Sequence, residues 1–157
     1  MMTGQGSAFN KGDANRLGRE FDQADRGTRL AYGRLVAEAR RSIVELSPKA
    51  LRCWLKKGAV LIDVRESDEF ELAHLEGAIH IDRAELGMVI DQLVPNLTTP
   101  IVCCCARGNR SALAAYQLQQ LGYSKVGSLR DGLNQWDQDQ SVRRSKESGL
   151  GLLGQAQ

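Results

Sequence analysis

No stretch of this sequence approaches the roughly 20 consecutive apolar residues that crossing a bilayer requires, so no membrane-spanning helix is expected. Met1 to Gly12 is small and polar and holds no apolar h-region; no secretory signal is expected, and the expected location is the cytoplasm. Neither sign of charge dominates: 21 Lys and Arg stand against 19 Asp and Glu, and a net +2 is too little for a nucleic-acid surface. Histidine is scarce, with only His74 and His80, and no C-x-x-C pair exists, so a metal site is not expected. There are four cysteines, but Cys103, Cys104 and Cys105 are consecutive and Cys53 stands far upstream. Adjacent cysteines point to opposite faces of a strand and pair only through a strained ring, which argues against a disulfide framework. What is present is the composition of one globular domain: 157 residues, 42% hydrophobic and 25% charged.

The chain divides into three parts: an N-terminal extension over 1–41, a domain over 42–140, and a basic, glycine-rich tail over 141–157 that includes Arg143, Arg144 and Lys146. Within the extension, Asp13 to Arg41 reads as a helix. Leu17, Phe21, Ala24, Thr28, Ala31 and Leu35 recur every three or four positions as one apolar stripe, although Gly18, Gly27 and Gly33 weaken it. Two readings of this helix stay open: it packs on the domain, or it docks a partner protein or a second copy of the chain.

From Ser42 onward strands and helices alternate. Ser42–Leu46 is a strand, and Ser47-Pro48 starts a helix that stops at Gly58. Ala59–Val64 is a continuous apolar run of the kind buried on both faces of a parallel sheet. A short helix follows over Ser67–Leu72, a strand over Ala78–Ile81, and a helix from about Arg83 to Leu93 that Asp82 caps. Ile101–Cys104 is a buried strand, Asn109–Leu121 a helix closed by Gly122, Lys125–Leu129 the last strand and Gly132–Asp139 the last helix. The expected fold is therefore α/β: three layers, α/β/α, around a central five-stranded parallel sheet. Ligands of such sheets bind at the carboxyl ends of the strands.

One of those ends carries chemistry: Ile101-Val-Cys-Cys-Cys105-Ala-Arg-Gly-Asn-Arg110-Ser111. A buried strand delivers Cys105 to a short loop that runs straight into a helix. Gly108 lets the backbone curl with its N–H groups inward, and the helix N-terminus adds unsatisfied N–H groups and positive partial charge. The result is an anion cradle with a thiol at its base and two cations, Arg107 and Arg110, beside it. Surroundings of this kind favour the reactive thiolate. Cys103 and Cys104 lie inside the strand and read as small hydrophobes, as does Cys53 in its helix.

The loop C-A-R-G-N-R-S resembles the rhodanese active-site loop, C-x-x-G-x-R-S/T. Two further segments resemble that family in the same order. Leu61-Ile-Asp-Val-Arg-Glu-Ser-Asp-Glu-Phe70 with Ala73-His-Leu-Glu-Gly-Ala-Ile-His-Ile81 is one; Leu129-Arg-Asp-Gly-Leu-Asn-Gln-Trp136 is the other. The likeness covers about Ile43 to Asp139. Ala73 and Asp131 depart from it, each standing where glycine is usual.

The resemblance implies a sulfurtransferase in which Cys105 accepts sulfur as a persulfide from a small anionic donor such as thiosulfate and passes it to a thiol, a protein or cyanide, with no metal or organic cofactor. It implies that Ala106, Arg107, Gly108, Asn109, Arg110 and Ser111 hold the charged sulfur. The related phosphatases place seven residues from cysteine to arginine; Cys105 to Arg110 is six. Asp63 and Arg65 read as supports, with Asp63 a candidate partner for Arg110. Glu66, Glu69 and Glu71 read as a solvated helical face, His74 as a loop brace and Trp136 as an apolar anchor. The alternative is a sulfur-relay or regulatory module whose main ligand is a partner protein.

Overall fold

The computed structural model describes residues 26–139. Met1 to Asp25 and residues 140–157 lie outside it, and with them the expectations for Leu17, Phe21, Ala24 and the basic tail.

Helix α1 (Arg26–Ser42) leads into strand β1 (Val44–Leu46). Ser47 then caps α2 (Pro48–Lys56): its Oγ accepts the Ala50 N–H at 3.1 Å, and proline occupies the first turn, where no N–H is needed. There follow β2 (Val60–Asp63), α3 (Ser67–Leu72), β3 (Ile79–His80), α4 (Leu86–Leu93), β4 (Ile101–Cys104), α5 (Asn109–Gln120), β5 (Val126–Leu129) and α6 (Gly132–Asp139). Helix α4 begins three residues later than expected. Asp82 accepts the Ala84 N–H on its carboxylate and the Glu85 and Leu86 N–H groups on its carbonyl, so it closes a turn before the helix proper.

The strands form one parallel sheet in the order β1-β5-β4-β2-β3. Both faces are covered. On one, Ile62, Ile101, Cys103 and Val126 pack with Ile90 of α4 and Ala115 and Leu118 of α5; on the other, Leu61, Val102, Cys104 and Leu129 pack with Leu51 of α2 and Trp136 of α6. The expected three-layer α/β/α fold is thus the fold observed. Cys103 and Cys104 face opposite cores, as strand alternation requires. Trp136 is 1% exposed and anchors α6 as expected.

Helix α1 packs along α5 of the same chain, and Gln119 donates to the Ser42 carbonyl at the end of α1. Its buried face differs from the stripe read in the sequence. Val36 and Ala39 are buried and Tyr32 half-buried, whereas Thr28, Ala31 and Leu35 are exposed. The true stripe runs 32-36-39, one position off. Cys53 is a second correction: it is exposed on α2, because Leu51 takes the core-facing position.

Candidate active site

Sheet order sets the site. β4 lies at the centre, between β5 and β2, so the loop after Cys104 opens at the middle of the carboxyl edge. Gly108, in the left-handed region at φ 94°, turns its N–H inward to donate to Cys105 Sγ at 3.1 Å. The Ser111 N–H donates to the same sulfur at 3.3 Å. The thiol in turn donates to Ser111 Oγ at 3.3 Å, and that hydroxyl shares a 2.8 Å hydrogen bond with Ser128 Oγ of β5. Cys105 is 1% exposed, and Ser111 and Ser128 are buried as deeply. Fixed donors in such a water-poor place act on a negative sulfur far more strongly than they would in solution.

Helix α6 holds the back of the loop. Leu133 N–H donates to the Cys105 carbonyl at 2.8 Å and Asn134 N–H to the Ala106 carbonyl at 3.0 Å. The approach is so close that a β-carbon on Gly132 would stand 2.4 Å from the Ala106 carbonyl atoms. Asp131, where the related motif carries glycine, has φ 61° and is the non-glycine residue with positive φ among those described. Its backbone nitrogen lies close to Gly108, 3.2 Å from where a β-carbon there would stand.

Arg110 is gripped by Glu69 of α3, Nη1 to Oε1 at 2.9 Å and Nη2 to Oε2 at 3.1 Å. Burial alone would lower the Arg110 pKa; the Glu69 carboxylate outweighs it and holds the value above normal. Asp63 does not reach Arg110. Its buried carboxylate pairs with Arg65, which donates from Nε at 3.0 Å and from Nη2 at 2.8 Å, and Arg65 Nη2 also donates to the Ala73 carbonyl at 2.7 Å. The expectation of an Asp63–Arg110 pair is therefore corrected, and Glu69 is not merely solvated. Geometry explains both: Arg65, two residues along the same chain, captures Asp63, and α3 starts just beyond β2, beside the loop. His74 stacks on Phe70 at 3.7 Å and bonds its carbonyl through Nδ1, consistent with a brace.

Arg107 is exposed at the loop tip, and Asn109 Oδ1 accepts from Arg40 Nη2 of α1 at 3.0 Å. The structure thus brings together Cys105 and Gly108 to Ser111, with Ala106 and Arg107 completing the loop. Asp63 and Arg65 sit behind, at the end of β2. Sequence reading missed Ser128, Glu69 and Arg40. A serine in the otherwise apolar β5, at its carboxyl end, was a usable signal for the first; nothing local marked Arg40, 69 positions from its partner.

A thiol cradled by loop N–H groups at the carboxyl edge of this parallel sheet is a nucleophile site, and the relatives make the class a sulfurtransferase enzyme domain. The model of the rhodanese-like domain matches residues 47–139, and the chain belongs to that family. The thiosulfate sulfurtransferase GlpE of Ectopseudomonas mendocina is 34% identical over 91 residues, 58% of this chain and 82% of that protein. Among solved structures, a Rhodopseudomonas palustris protein described as a possible tyrosine phosphatase superposes with TM-score 0.64 at 27% identity, over 71% of this chain and 93% of that one. The homodimeric polysulfide-sulfur transferase of Wolinella succinogenes gives 0.61 at 26% identity, over 74% and 90%. Helix α1 lies outside the family match.

Proposed function

We propose that the protein moves a sulfane sulfur from a small anionic donor such as thiosulfate to a thiol, protein or cyanide acceptor, through a persulfide on Cys105. The observation that carries this reading is the convergence of the Gly108 and Ser111 N–H groups on Cys105 Sγ at 3.1 and 3.3 Å. The similarity to a thiosulfate sulfurtransferase supports the donor. The six-residue span from Cys105 to Arg110 supports sulfur rather than phosphate chemistry.

Cys105 thiolate attacks the outer sulfur of thiosulfate. The new S–S bond forms as the donor's S–S bond breaks, and sulfite leaves with the electron pair. The persulfide charge then rests among the N–H groups of Ala106 to Ser111. Arg107, exposed at the entrance, and Arg110 draw the dianion in. Asp63 and Arg65 support the loop without touching the donor. An acceptor nucleophile removes the terminal sulfur and restores Cys105 thiolate, so the cycle is ping-pong and suits a reducing compartment such as the cytoplasm. Intact mass spectrometry after incubation with thiosulfate tests it. Wild type should gain one sulfur atom and Cys105→Ser none; a wild type that stays unmodified, or a variant that still gains sulfur, overturns the assignment.

A further inference from the structure

Helix α1 brings residues from outside the family match to the edge of the reactive loop. Between α1 and the start of α5 lies a cleft of about 450 Å³ lined by Tyr32, Gly33, Val36, Ala37, Arg40 and Asn109. Asn109 directly follows Gly108, whose N–H donates to the Cys105 sulfur. Arg40 Nη2 stands 3.5 Å from where a Gly108 β-carbon would be. The cleft therefore borders the loop that cradles the sulfur, through Asn109 and the neighbouring Gly108. Tyr32 feels the same thiol: burial raises its pKa, Arg83 opposes that, and the Cys105 charge raises it further.

The lining selects a type of ligand. Gly33, Val36 and Ala37 give a small apolar floor. Arg40 supplies the charge, and its guanidinium is fixed by Glu45 through Nε at 2.9 Å and by Asn109 through Nη2 at 3.0 Å. A guanidinium has five N–H donors, so a ligand carboxylate still finds donors there. The volume falls in the range of small-molecule sites and is far more than a diatomic or tetrahedral inorganic anion fills. A donor such as thiosulfate needs only the loop; an acceptor that carries sulfur away on carbon needs room beside it.

We propose that this cleft is the acceptor subsite, and that it takes a low-molecular-weight thiol bearing a carboxylate, with the carboxylate on Arg40 and the thiol directed at Cys105. The proposal rests on the persulfide cycle above. The acceptor thiolate attacks the terminal sulfur; an S–S bond to the acceptor forms, and the bond to Sγ breaks with its electron pair returning to Cys105. The acceptor leaves as its own persulfide, and no oxidant is needed. Tyr32 and Arg40 are then specificity residues supplied by the extension.

Ala37 gives the test, because it lines the cleft, is exposed and has no polar partner to lose. Ala37→Gln and Ala37→Glu fill the same space, and only the second repels an anion. Cys105 persulfide, loaded from thiosulfate, is discharged with 3-mercaptopropionate, 2-mercaptoethanol or cyanide. The Glu variant should lose about tenfold in rate with 3-mercaptopropionate and under about twofold with the other two, relative to the Gln variant. Equal losses with both thiols, or a parallel loss with cyanide, overturn the proposal. If wild type takes no sulfur from thiosulfate, the donor reading is what fails, and alkylation of Cys105 decides the cleft. There, a fall of about tenfold in the iodoacetate-to-iodoacetamide rate ratio for the Glu variant supports the subsite, and an unchanged ratio overturns it.

Discussion

Glu69 and Arg110 are bound through both oxygens and both terminal nitrogens, at 2.9 and 3.1 Å, across 41 positions of sequence. The bond ties the first turn of α5, just after the cysteine loop, to the helix after β2. Each side chain keeps about 30% of its surface exposed.

That exposure predicts a split between two carboxylates. Glu69→Gln should cost under about 1 kcal/mol of stability, as exposed pairs do, yet lower kcat/KM for thiosulfate by about tenfold, because Arg110 is no longer held in place. Asp63→Asn removes one charge from a buried pair and leaves Arg65 uncompensated, which costs about 3–5 kcal/mol. Urea denaturation of the two variants reads the difference. Equal destabilisation would show that the site arginine, like Arg65, is part of the structural framework.

The limits of sequence reading follow the same division. The bounds of α3, β4 and α6 agree with the sequence reading residue for residue; an apolar run marks β4 and Gly132 opens α6. The cysteine loop was legible because one strand, one glycine and one helix start build it locally. The partner of Arg110 was not, since Asp63 ends β2 and Glu69 lies in the helix just after it, and only their placement in three dimensions separates them. The face of α1 was misassigned because Ala31 and Leu35 are apolar but solvated, while Tyr32 turns inward. Arg40 reaches the loop by tertiary packing alone, which no local period encodes.

Gly132 predicts a sharp contrast with its neighbour. Gly132→Ala puts a methyl group 2.4 Å from the Ala106 carbonyl atoms, which neither backbone nor helix can avoid. It should cost about 2–4 kcal/mol and displace the loop, with sulfur loading falling in step. Asp131→Gly, at φ 61°, removes left-handed strain of about 1 kcal/mol, which the greater flexibility of an unfolded glycine partly offsets. The expected change in melting temperature is small, with activity retained. A marked loss on Asp131→Gly would mean that its carboxylate serves the site.

Ser128 is the least conspicuous member of the site. Ser128→Ala deletes the 2.8 Å partner of Ser111 Oγ and leaves that buried hydroxyl with the Cys105 sulfur as its remaining hydrogen-bonded neighbour among the described residues. Stability should fall by about 1 kcal/mol. The persulfide should also discharge more slowly, because a hydroxyl released from Ser128 can donate more fully to the charged sulfur. Single-turnover discharge into cyanide measures it; an unchanged rate would confine Ser128 to a structural part.

The three consecutive cysteines should separate by reactivity. Burial, aided by neighbouring charge, pushes the Cys103 and Cys104 thiols well above the ordinary range. At pH 8 the native protein should be alkylated at Cys53, which is exposed, and at Cys105, whose sulfur receives two N–H donors. Cys103 and Cys104 should react only after unfolding. Peptide mass mapping decides this, and native labelling of either strand cysteine would show that β4 opens.

Glu66 sets a pH dependence near Arg110. Its carboxyl is raised above the usual value, first by burial and then by the Asp82 carboxylate, and Arg110 only partly opposes them. An acid whose folded pKa is raised binds its proton more tightly in the native state than in the unfolded chain. Its unfavourable contribution is therefore absent below the unfolded value of about 4.3, grows as pH rises through the folded value, and is constant above it. Glu66→Gln should consequently stabilise the protein at pH 7 relative to wild type and have little effect at pH 4. Asp82→Asn should act in the same direction, because it removes the like charge, but it also weakens the acceptor of the Ala84 N–H before α4 and so gains less. Urea midpoints for wild type and both variants at the two pH values supply the test. A Glu66→Gln variant less stable at pH 7 than at pH 4, each relative to wild type, would mean that the Glu66 charge is stabilised by Arg110 rather than strained by Asp82.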